Sequence, residues 1–499
     1  MELTKLVSSV KVIQVIGEVQ RKDITGIFYD SRNVIKDSIF VAIKGYKTDG
    51  HNFILDAINK GAVAVILEDN ESVPDEIFIH DGITKILVKN SRIALAQISN
   101  IYFNQPSTKI KLIGITGTNG KTTTSYFIKN ILETDGNKVG LIGTIANYIG
   151  EKEITTRLTT PESVELNELL LEMYNEGCSY AVMEVSSHSL VLNRVYDLSF
   201  ASAVFTNIAS DHLDFHGNFE NYLSAKKILF DSLTTSAFGV YNSDDKNSLT
   251  LISNTQAHPN SYGTASNADF ILKDIKYNLN GTSFTIEYKK NSYSISTSLI
   301  GEFNAYNACA AFATAVLLGV KAKTCVEGIK TTRHVPGRFE VIGSGKKKVI
   351  VDYSHTADSL EKALTALNKI VDNKNPIYTV FGCGGNRDKT KRPEMGKIAC
   401  DLSRYVIITS DNPRFEEPME IINEIKRGIS KTNYEIIENR EEAIKKAVEK
   451  SEDNAVILIA GKGHENYQEI KGIRNHFSDR EIAEKYLSAF TDQHTADAE

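Results

Sequence analysis

A glycine-rich segment that begins at Gly114 has the residue types that bind nucleotide phosphates. Its sequence is Gly-Ile-Thr-Gly-Thr-Asn-Gly-Lys-Thr-Thr, and it lies between an apolar, strand-like run and a helical pattern. Backbone N–H groups of such a loop converge on phosphate oxygens, and the start of the helix adds partial positive charge. Lys121 can neutralise the outer phosphates, and the Thr122 hydroxyl can bind Mg²⁺. We therefore predict a nucleoside triphosphate site.

The spacing within this loop departs from the usual pattern. Gly114 lies one position too far from Lys121 and Gly117 lies too close, so the segment is a shortened variant. An ordinary glycine turn before a helix is the alternative, but the strand, loop, Gly-Lys-Thr and helix together favour nucleotide binding. The predicted phosphate-binding residues are Gly117, Thr118, Asn119, Gly120, Lys121, Thr122 and Thr123.

Further side chains with metal or acid–base chemistry follow strands of the same predicted sheet. Glu184 ends an apolar strand, Asp211 and His212 come after the next strand, and Lys226 lies in a helical run. A carboxylate at the carboxyl end of a strand lies beside the phosphate loop, where it can hold Mg²⁺. A helix-capping Asp211, a structural His212 and a solvated Lys226 are the ordinary alternatives, and histidine is an unusual Mg²⁺ ligand. Their shared place after successive strands favours a functional cluster.

The elements that must position these residues are those of three α/β domains. Short apolar runs alternate with helical patterns at both ends of the chain, and a polar, proline-containing linker at 104–108 precedes a parallel β-α pattern. Alternating residues at 269–299, around Asn280-Gly281, indicate antiparallel hairpins. We predict an α/β domain at 1–107, a P-loop ATPase-type parallel sheet with a small antiparallel section at 108–334, and a Rossmann-like α/β domain at 335–499.

Composition and charge exclude several classes of protein. The chain has 499 residues, with 57 Lys and Arg against 63 Asp and Glu, which gives no electrostatic footprint for nucleic acid or an anionic membrane. The five cysteines are scattered, without zinc-site spacing or a disulfide framework. We find no transmembrane stretch and no signal-peptide pattern at the start. We therefore expect a reduced, cytoplasmic protein without a membrane span, and we expect a monomer.

A set of motifs occurs in a fixed order from residue 30 to residue 468. After Asp30-Ser31-Arg32 come GTNGKTT, EVSSH, TNIASDHLDFHG, GEFNAYNA, VPGRFE, DYSHTADSL, FGCGGNRDKTKRPEMG, DNPRFEEP and AGKGHENYQ. In this order, and over nearly the whole chain, the motifs resemble those of the Mur ligases of bacterial peptidoglycan synthesis. The resemblance implies a UDP-binding N-terminal domain, a central ATP-binding domain and a C-terminal domain that binds an incoming amino acid.

The resemblance further implies an ATP-dependent amide ligation on UDP-N-acetylmuramoyl-L-alanyl-D-glutamate. The γ-carboxylate of D-Glu attacks the γ-phosphate of ATP, and an amine then displaces phosphate from the acyl phosphate. By resemblance, Thr122 and Glu184 hold the Mg²⁺ bound to ATP, and Glu184, His212 and Lys226 surround a second Mg²⁺. Lys226 would be carbamylated by CO₂, which converts an ammonium into an anion. The implied catalytic residues are Lys121, Glu184, His212 and Lys226.

Substrate contacts are implied in all three domains. Adenine would lie near Asn304 and Asn307, while Arg338 and Asp352 would meet phosphate and ribose, so that domains close around the nucleotide. Ser31 would contact the UDP group; the ordinary alternative is that its side chain caps a turn. The residues implied for the UDP-muramoyl peptide are Ser31, Thr159, Thr160, Ser186, Arg194 and carbamylated Lys226.

The segment Asp411-Asn412-Pro413-Arg414 follows a strand at the ligand-binding edge of a predicted open sheet. A guanidinium binds a carboxylate with two hydrogen bonds, and meso-2,6-diaminopimelate has a distal carboxylate that L-lysine lacks. The segment resembles the diaminopimelate-adding branch, in which arginines would bind carboxylates and an acidic residue the distal ammonium. A surface salt bridge from Arg414 to Glu416 or Glu417 is the alternative. The implied amino-acid site is Arg387, Asp411, Asn412, Pro413, Arg414, Gly461 and Glu465.

Several other functions fit parts of the sequence. An L-lysine-adding ligase or a folylpolyglutamate-type ligase would share the fold, although the long N-terminal domain and the Asp-Asn-Pro-Arg segment disfavour the folate enzyme. A P-loop NTPase that drives movement or signalling would hydrolyse ATP without any amino acid. A UDP-sugar-binding module would not need Lys121.

Overall fold

Three larger sheets carry the fold, and the strands of each lie within one of the predicted domain ranges. The structure is a computed structural model that describes residues 1–19, 21–45, 48–343, 347–371 and 375–496, with the backbone alone from residue 490. One compact unit comprises Met1–Gly117, Leu132–Phe205 and Asn218–Asn260; a second comprises Thr118–Ile131, Thr206–Gly217 and the chain from Ser261 onward. The boundaries near residues 107 and 335 stay a prediction. No helix of the described residues is both long and apolar enough to cross a membrane.

The first sheet, in the first unit, is built from short apolar strands. They are β1 (Val12–Ile16), β2 (Ile27–Phe28), β3 (Ser38–Val41), β4 (Ala62–Leu67) and β5 (Thr84–Val88), accompanied by α1 (Leu3–Ser8), α2 (Ile54–Asn59), α3 (Asp75–His80) and α4 (Ser91–Tyr102). Their spatial order is β1–β5–β4–β3–β2; β1 runs antiparallel to β5, and the other neighbours are parallel. Apolar side chains pack on both faces of the sheet, as parallel strands require.

The predicted linker at 104–108 is a defined turn. Asn104 and Gln105 have φ angles of 59° and 50°, and Pro106–Thr108 forms a 3₁₀ turn in which Pro106 and Ser107 are buried. The Ser107 hydroxyl accepts a hydrogen bond from Ser199 N at 3.1 Å. The connection that precedes the second sheet is therefore packed within the first unit.

The second sheet has a parallel core whose strands are almost wholly buried. In the first unit its strands are β6 (Lys111–Thr116), β7 (Val139–Ile142), β8 (Asn147–Ile149), β9 (Lys152–Ile154), β10 (Tyr180–Glu184), β11 (Phe200–Phe205) and β12 (Phe238–Asn242). Their order is β12–β11–β6–β10–β7–β8–β9, parallel except for β8 and β9. The helices along this part of the chain are α5 (Lys121–Thr134), α6 (Ser163–Asn175), α7 (Ser187–Val191), α8 (Leu213–His216), α9 (Phe219–Asp231) and α10 (Ser248–Ile252).

An antiparallel section follows in the second unit, as the sequence predicted. The strand β13 (His258–Gly263) leads to β14 (Phe270–Asn278), β15 (Gly281–Tyr288) and β16 (Asn291–Thr297), then to α11 (Glu302–Leu317) and α12 (Ala322–Thr331). The hairpins β14–β15 and β15–β16 are antiparallel. Gly281 has a φ of 145°, and a Cβ there would lie 2.2 Å from Thr297 O, so the predicted Asn280-Gly281 turn needs its glycine.

The third sheet gathers the carboxyl ends of several strands at one edge. Its strands are β17 (Glu340–Ile342), β18 (Lys348–Asp352), β19 (Ile377–Phe381), β20 (Tyr405–Ile408), β21 (Tyr434–Ile436) and β22 (Val456–Ala460), in the order β17–β18–β22–β19–β20–β21. All neighbours except β17 and β18 are parallel. A hairpin of β23 (Tyr467–Ile470) and β24 (Ile473–His476) follows. Helices α13 (Ala357–Val371), α14 (Lys391–Leu402), α15 (Pro418–Lys426), α16 (Arg440–Lys450) and α17 (Asp479–Ala496) complete this part.

Candidate active site

The glycine-rich loop lies between β6 and α5, as predicted. Two of its glycines have positive φ angles, 150° at Gly117 and 87° at Gly120. A Cβ at Gly120 would lie 2.3 Å from Asn307 Oδ1, so a side chain at this position would displace that amide. The glycine is therefore needed both for the backbone conformation and for the close approach of α11.

The segment after β11 supports this loop. Thr118 N donates to Asn207 O at 2.8 Å, and Asn119 N donates to Asn207 Oδ1 at 3.1 Å. The Thr206 hydroxyl donates to Asn119 O at 2.6 Å. Lys121 Nζ donates to Thr118 O at 2.9 Å, so the lysine side chain folds back over its own loop. These bonds fix the loop's shape and keep the ammonium group beside it.

Arg338 reaches the phosphate loop from the chain that leads into the third sheet. Its Nη2 donates to the hydroxyl of buried Thr122 at 3.3 Å, and its guanidinium lies 4.6 Å from the Tyr353 ring centroid. Asp352 accepts hydrogen bonds from Phe339 N at 2.7 Å and from the Ser354 hydroxyl. Burial raises the pKa of Asp352. The Asp352 carboxylate thus holds the turn that presents Arg338, and its predicted ribose contact stays a prediction.

Asn304 and Asn307 lie one turn apart on α11 and are both buried. Asn307 Nδ2 donates to Asn304 Oδ1 at 3.1 Å, and Asn304 Nδ2 donates to Ile300 O at 2.9 Å. The two amides form a connected chain behind the phosphate loop. Their contact with adenine stays a prediction.

Glu184 and Lys226 are both buried in the first unit. The two carboxylate oxygens of Glu184 accept hydrogen bonds from Thr144 N at 2.8 Å and from the Thr144 hydroxyl at 3.0 Å. Lys226 Nζ donates to Gly117 O at 2.8 Å and lies 4.5 Å from the Tyr222 ring centroid. Lys226 is only 1% exposed, so the alternative of a solvated lysine is wrong. An ammonium group removed from water in this way must be paired or modified to be tolerated.

His212 has a different environment. Its side chain is 45% exposed, its φ is 53°, and it precedes α8. Asp211 Oδ1 accepts a hydrogen bond from His212 N at 2.9 Å. The described residues contain no group of three or more His, Cys, Asp or Glu side chains that could hold a metal. The proposed second metal site therefore stays a prediction.

Two of the residues implied for Mg²⁺ have suitable side-chain chemistry, each considered by itself. The Thr122 hydroxyl and the Glu184 carboxylate offer the oxygen ligands that Mg²⁺ prefers. Lys226, as an ammonium that donates to Gly117 O, has no lone pair for a metal. It would fit such a site only after conversion to an anion.

Several residues predicted for the UDP-muramoyl peptide meet beside Glu184. The Thr160 hydroxyl donates to Glu184 O at 2.8 Å, and the Thr159 hydroxyl is 3.1 Å from that of Thr144. The Ser186 hydroxyl accepts from Ser189 N at 3.1 Å and so caps α7. The sequence prediction therefore named residues that are close in space, and their ligand roles stay a prediction.

Arg194 already has an anionic partner in this region. Its Nε lies 2.8 Å from Glu162 Oε1, and its Nη1 donates to Thr160 O at 3.1 Å. Glu162 belongs to the segment Thr159-Thr160-Pro161-Glu162, which by resemblance holds the muramoyl peptide, but its ion pair with Arg194 was not predicted. Arg92 also approaches Glu162, at 3.6 Å, so two arginines share one carboxylate and the group has a net positive charge.

Ser31 is buried in a 3₁₀ turn rather than at its cap. The capping side chain is that of Asp30, which accepts a hydrogen bond from Arg32 N at 3.0 Å. Lys60 Nζ donates to Ser31 O at 2.9 Å. The turn-cap alternative for Ser31 is therefore wrong, because the preceding aspartate provides the cap.

The residues predicted for the amino-acid site lie at the carboxyl edge of the third sheet. Asp411–Arg414 follow β20 and Gly461–Glu465 follow β22, and Asn412 Nδ2 donates to Glu465 Oε2 at 2.7 Å. A Cβ at Gly461 would lie 2.7 Å from Asp411 Oδ2. Burial, and then the negative charge of Asp411, raise the pKa of Glu465. The structure brings together two segments that are about fifty residues apart in the chain.

Arg387 is part of the loop that follows β19, and Arg414 lies beside that loop. Arg414 Nη1 donates to Gly385 O at 2.8 Å, and a Cβ at Gly384 would lie 2.9 Å from Arg414 Nη1 and 3.8 Å from Arg387 Cγ. The ion-pair partners of the neighbouring glutamates lie elsewhere, since Glu416 pairs with Arg392 at 2.9 Å and Glu417 with Lys471 at 3.7 Å. The salt-bridge alternative for Arg414 is therefore wrong.

Buried charges that the sequence analysis missed support this pocket. Arg440 and Asp479 form an ion pair at 2.7 Å with neither side chain exposed, and Arg440 Nη2 donates to Ala460 O, at the end of β22, at 3.0 Å. Lys462 is also fully buried. The signal available in the sequence was Gly-Lys-Gly directly after an apolar strand, since a charge at such a place is seldom solvated.

Three family models match consecutive parts of the chain. They are described as Mur ligase family, catalytic domain, at residues 23–103; Mur ligase middle domain, at residues 115–315; and Mur ligase, glutamate ligase domain, at residues 337–463. The three-domain α/β organisation is thereby confirmed.

Individual relatives match over nearly the full length. The chain is 44% identical over 492 residues to the UDP-N-acetylmuramoyl-L-alanyl-D-glutamate–2,6-diaminopimelate ligase of Bacteroides thetaiotaomicron, covering 98% of this chain and 100% of that protein. It is 44% identical over 471 residues to the enzyme of the same name from Clostridium tetani, covering 93% and 95%. A solved structure of a protein with that name has a TM-score of 0.70 at 32% identity, covering 98% and 99%. This chain belongs to the Mur ligase family.

Proposed function

We propose that this protein joins meso-2,6-diaminopimelate to the D-Glu γ-carboxylate of UDP-N-acetylmuramoyl-L-alanyl-D-glutamate and converts ATP to ADP and phosphate. The observation that carries the proposal is 44% identity, over almost the whole of both chains, to the ligase named for this reaction. The geometry supports it with a phosphate loop and a separate pocket that contains both cationic and anionic side chains. The reaction belongs to peptidoglycan precursor synthesis.

A carboxylate is a poor electrophile, so the reaction proceeds in two steps. A γ-carboxylate oxygen attacks the γ-phosphorus of ATP, the bond to ADP breaks, and an acyl phosphate forms. The amine then attacks the acyl carbon, phosphate leaves, and the amine loses a proton. Lys121 and Arg338, which both reach the phosphate loop, supply positive charge where two anions approach each other.

The cation expected at this site would screen the same two anions. Thr122 and Glu184 have the oxygen donors for it, and we include His212 and a carbamylated Lys226 as ligands of a second Mg²⁺. Carbamylation begins when the Lys226 ammonium loses a proton; its amine nitrogen then bonds to the carbon of CO₂ and loses a second proton. The release of two protons replaces a buried cation by an anion. Lys226→Ala with full activity, and no dependence on bicarbonate, would contradict this role.

Charge complementarity supports the choice of amino acid. In the proposal, Arg414 and Arg387 bind carboxylates and Glu465 binds the distal ammonium. L-Lysine offers Glu465 the same ammonium but has no distal carboxylate for an arginine, so one guanidinium would stay unpaired in the complex. Asp411, Asn412, Pro413 and Gly461 shape the pocket.

The remaining substrate contacts are those that the sequence resemblance implies. Ser31, Thr159, Thr160, Ser186 and Arg194 would bind the UDP-muramoyl peptide. Asn304, Asn307 and Asp352 would bind ATP. We place the enzyme in the cytoplasm as a monomer; light scattering at a mass other than 55.3 kDa would contradict the oligomeric state.

Phosphate release with substrates omitted one at a time tests the proposal. We expect turnover only when ATP, the UDP-muramoyl dipeptide and meso-diaminopimelate are all present. Turnover with ATP alone would indicate an NTPase instead of a ligase. Faster turnover with L-lysine than with meso-diaminopimelate would favour the lysine-adding ligase.

A further inference from the structure

The turn after β22 contains a lysine for which the proposed reaction has no assigned use. Lys462 lies between Gly461 and Gly463, and its side chain is fully buried. Its Nζ donates to Asn412 Oδ1 at 3.2 Å and to Tyr467 O, and lies 3.7 Å from Glu465 Oε2. Burying an ammonium group is costly unless hydrogen bonds and an opposite charge compensate. The contacts of Lys462 with Asn412, Tyr467 and Glu465 supply this compensation, and they tie the lysine to the pocket.

Lys462 and the backbone N–H of Glu469 together fix which way the side-chain amide of Asn412 points. Asn412 Oδ1 accepts hydrogen bonds from Lys462 Nζ and, at 2.8 Å, from Glu469 N. A rotated amide would turn its NH₂ group toward these two donors, so the oxygen must face them. The amide nitrogen then faces Glu465 and donates to its Oε2 at 2.7 Å.

This chain of contacts leaves the other oxygen of Glu465 available. Oε2 is engaged by Asn412 and lies near Lys462, whereas Oε1 accepts no hydrogen bond from the described part of the chain. We propose that Lys462 is a positioning residue that acts through Asn412 to orient Glu465, so that Oε1 receives the distal ammonium of the incoming amino acid. The inference rests on the proposed function, in which Glu465 binds that ammonium.

Because charged groups surround Glu465, the role of Lys462 is visible in the pH dependence of amino-acid affinity. Burial and Asp411 raise the pKa of Glu465, whereas Lys462, the hydrogen bond from Asn412 and Arg414 lower it. Only the ionised carboxylate attracts an ammonium, so amino-acid affinity falls when the pH falls through the pKa of Glu465. Loss of Lys462 moves that pKa upward, and the fall in affinity then begins at higher pH. The other groups that face Glu465 are Arg440, Tyr353 and Tyr467.

The test compares Lys462→Met and Lys462→Gln with the unsubstituted protein. We expect Lys462→Met to raise the KM for meso-diaminopimelate about tenfold or more, because a charged hydrogen bond is lost, and to leave the KM for ATP unchanged. The acid limb of its affinity profile shifts to higher pH. Lys462→Gln keeps a donor for Asn412, so its KM rises less, with a pH shift in the same direction. The control is Lys471→Met, since Lys471 is 73% exposed on the neighbouring hairpin; we expect no change in either KM.

Thermal unfolding shows which variants are folded. A folded Lys462→Met with an unchanged KM and pH profile would overturn the inference, as would equal losses of affinity for ATP and amino acid. Failure of both variants to fold would also count against it, because that result assigns Lys462 to stability. Absence of turnover with meso-diaminopimelate in the unsubstituted protein would instead refute the proposed function.

Discussion

The phosphate loop and the amino-acid pocket are built in opposite ways. The loop is a single run of residues between β6 and α5, shaped by glycines and by backbone hydrogen bonds to Asn207. The pocket is assembled from three loops, after β19, β20 and β22, and the buried Lys462 donates a hydrogen bond to Asn412 within it. The phosphate loop can thus form from a local segment, whereas the proposed amino-acid pocket needs residues far apart in the chain.

The largest expected effect concerns the local segment. Lys121→Ala removes the cation that the loop holds beside Thr118 O. We expect amino-acid-dependent phosphate release to fall by about 10³-fold, since a positioned charge is lost where phosphoryl transfer occurs. The matched control is Lys323→Ala on the exposed side of α12, which should retain full activity. Activity of Lys121→Ala near that of the control would remove the loop from the reaction.

The next largest effect concerns the buried ion pair between Arg440 and Asp479, which lies next to the end of β22. Asp479→Ala leaves Arg440 as an unpaired buried charge and should lower the free energy of unfolding by about 3–5 kcal/mol, measured by urea unfolding. The double variant Arg440→Met/Asp479→Leu removes both charges and should recover most of that loss. Equal destabilisation in the single and double variants would mean that packing, rather than the ion pair, stabilises this region.

The difference between the local loop and the assembled pocket also explains which features the sequence could predict. The Gly-Lys-Thr-Thr loop, the parallel strands and the Asn280-Gly281 turn depend on neighbouring residues, so patterns in the sequence predicted them. Lys462, Arg440 and Asp479 were missed because their roles arise only when strand ends meet in the folded sheet. His212 illustrates the limit of a motif: its sequence context indicated a functional cluster, but not that its side chain is 45% exposed. Motifs predicted which residues meet, whereas burial and hydrogen-bond direction required the structure.

A smaller effect should separate the pocket from the loop. Arg414→Ala removes a guanidinium that reaches Gly385 O, and we expect the KM for meso-diaminopimelate to rise about 10- to 100-fold. The KM for ATP should not change, because the phosphate loop is built independently. Arg404→Ala, at an exposed position before β20, is the control. Parallel increases in both KM values would show that Arg414 supports the fold as a whole.

The smallest effect concerns Glu416, whose hydrogen bonds stabilise the loop after β19. Glu416 accepts hydrogen bonds from Arg392 and from Asn386 N, and the Arg392 hydrogen bond is the main reason that its pKa is lowered to about 2. A lowered pKa stabilises the fold above the unfolded-state value of about 4.3, and this stabilisation is lost as the pH falls toward the folded-state value. The stability difference between the unsubstituted protein and Glu416→Gln should therefore shrink over that range.

Urea unfolding at a series of pH values checks this prediction. Glu417→Gln is the matched control, because Glu417 is 66% exposed and its partner Lys471 lies 3.7 Å away. A stability difference for Glu416→Gln that stays constant as the pH falls would show that ionisation of Glu416 does not support the pocket.

The most direct test of the central claim is a competition between two amino acids for one active site. With ATP and the UDP-muramoyl dipeptide present, equal concentrations of meso-diaminopimelate and L-lysine are supplied, and the two tripeptide products are counted by mass spectrometry. The product ratio equals the ratio of the two kcat/KM values. We predict that the diaminopimelate product predominates in the unsubstituted protein and that Arg414→Ala loses most of this preference. A predominant lysine product, or an unchanged preference in Arg414→Ala, would contradict the account.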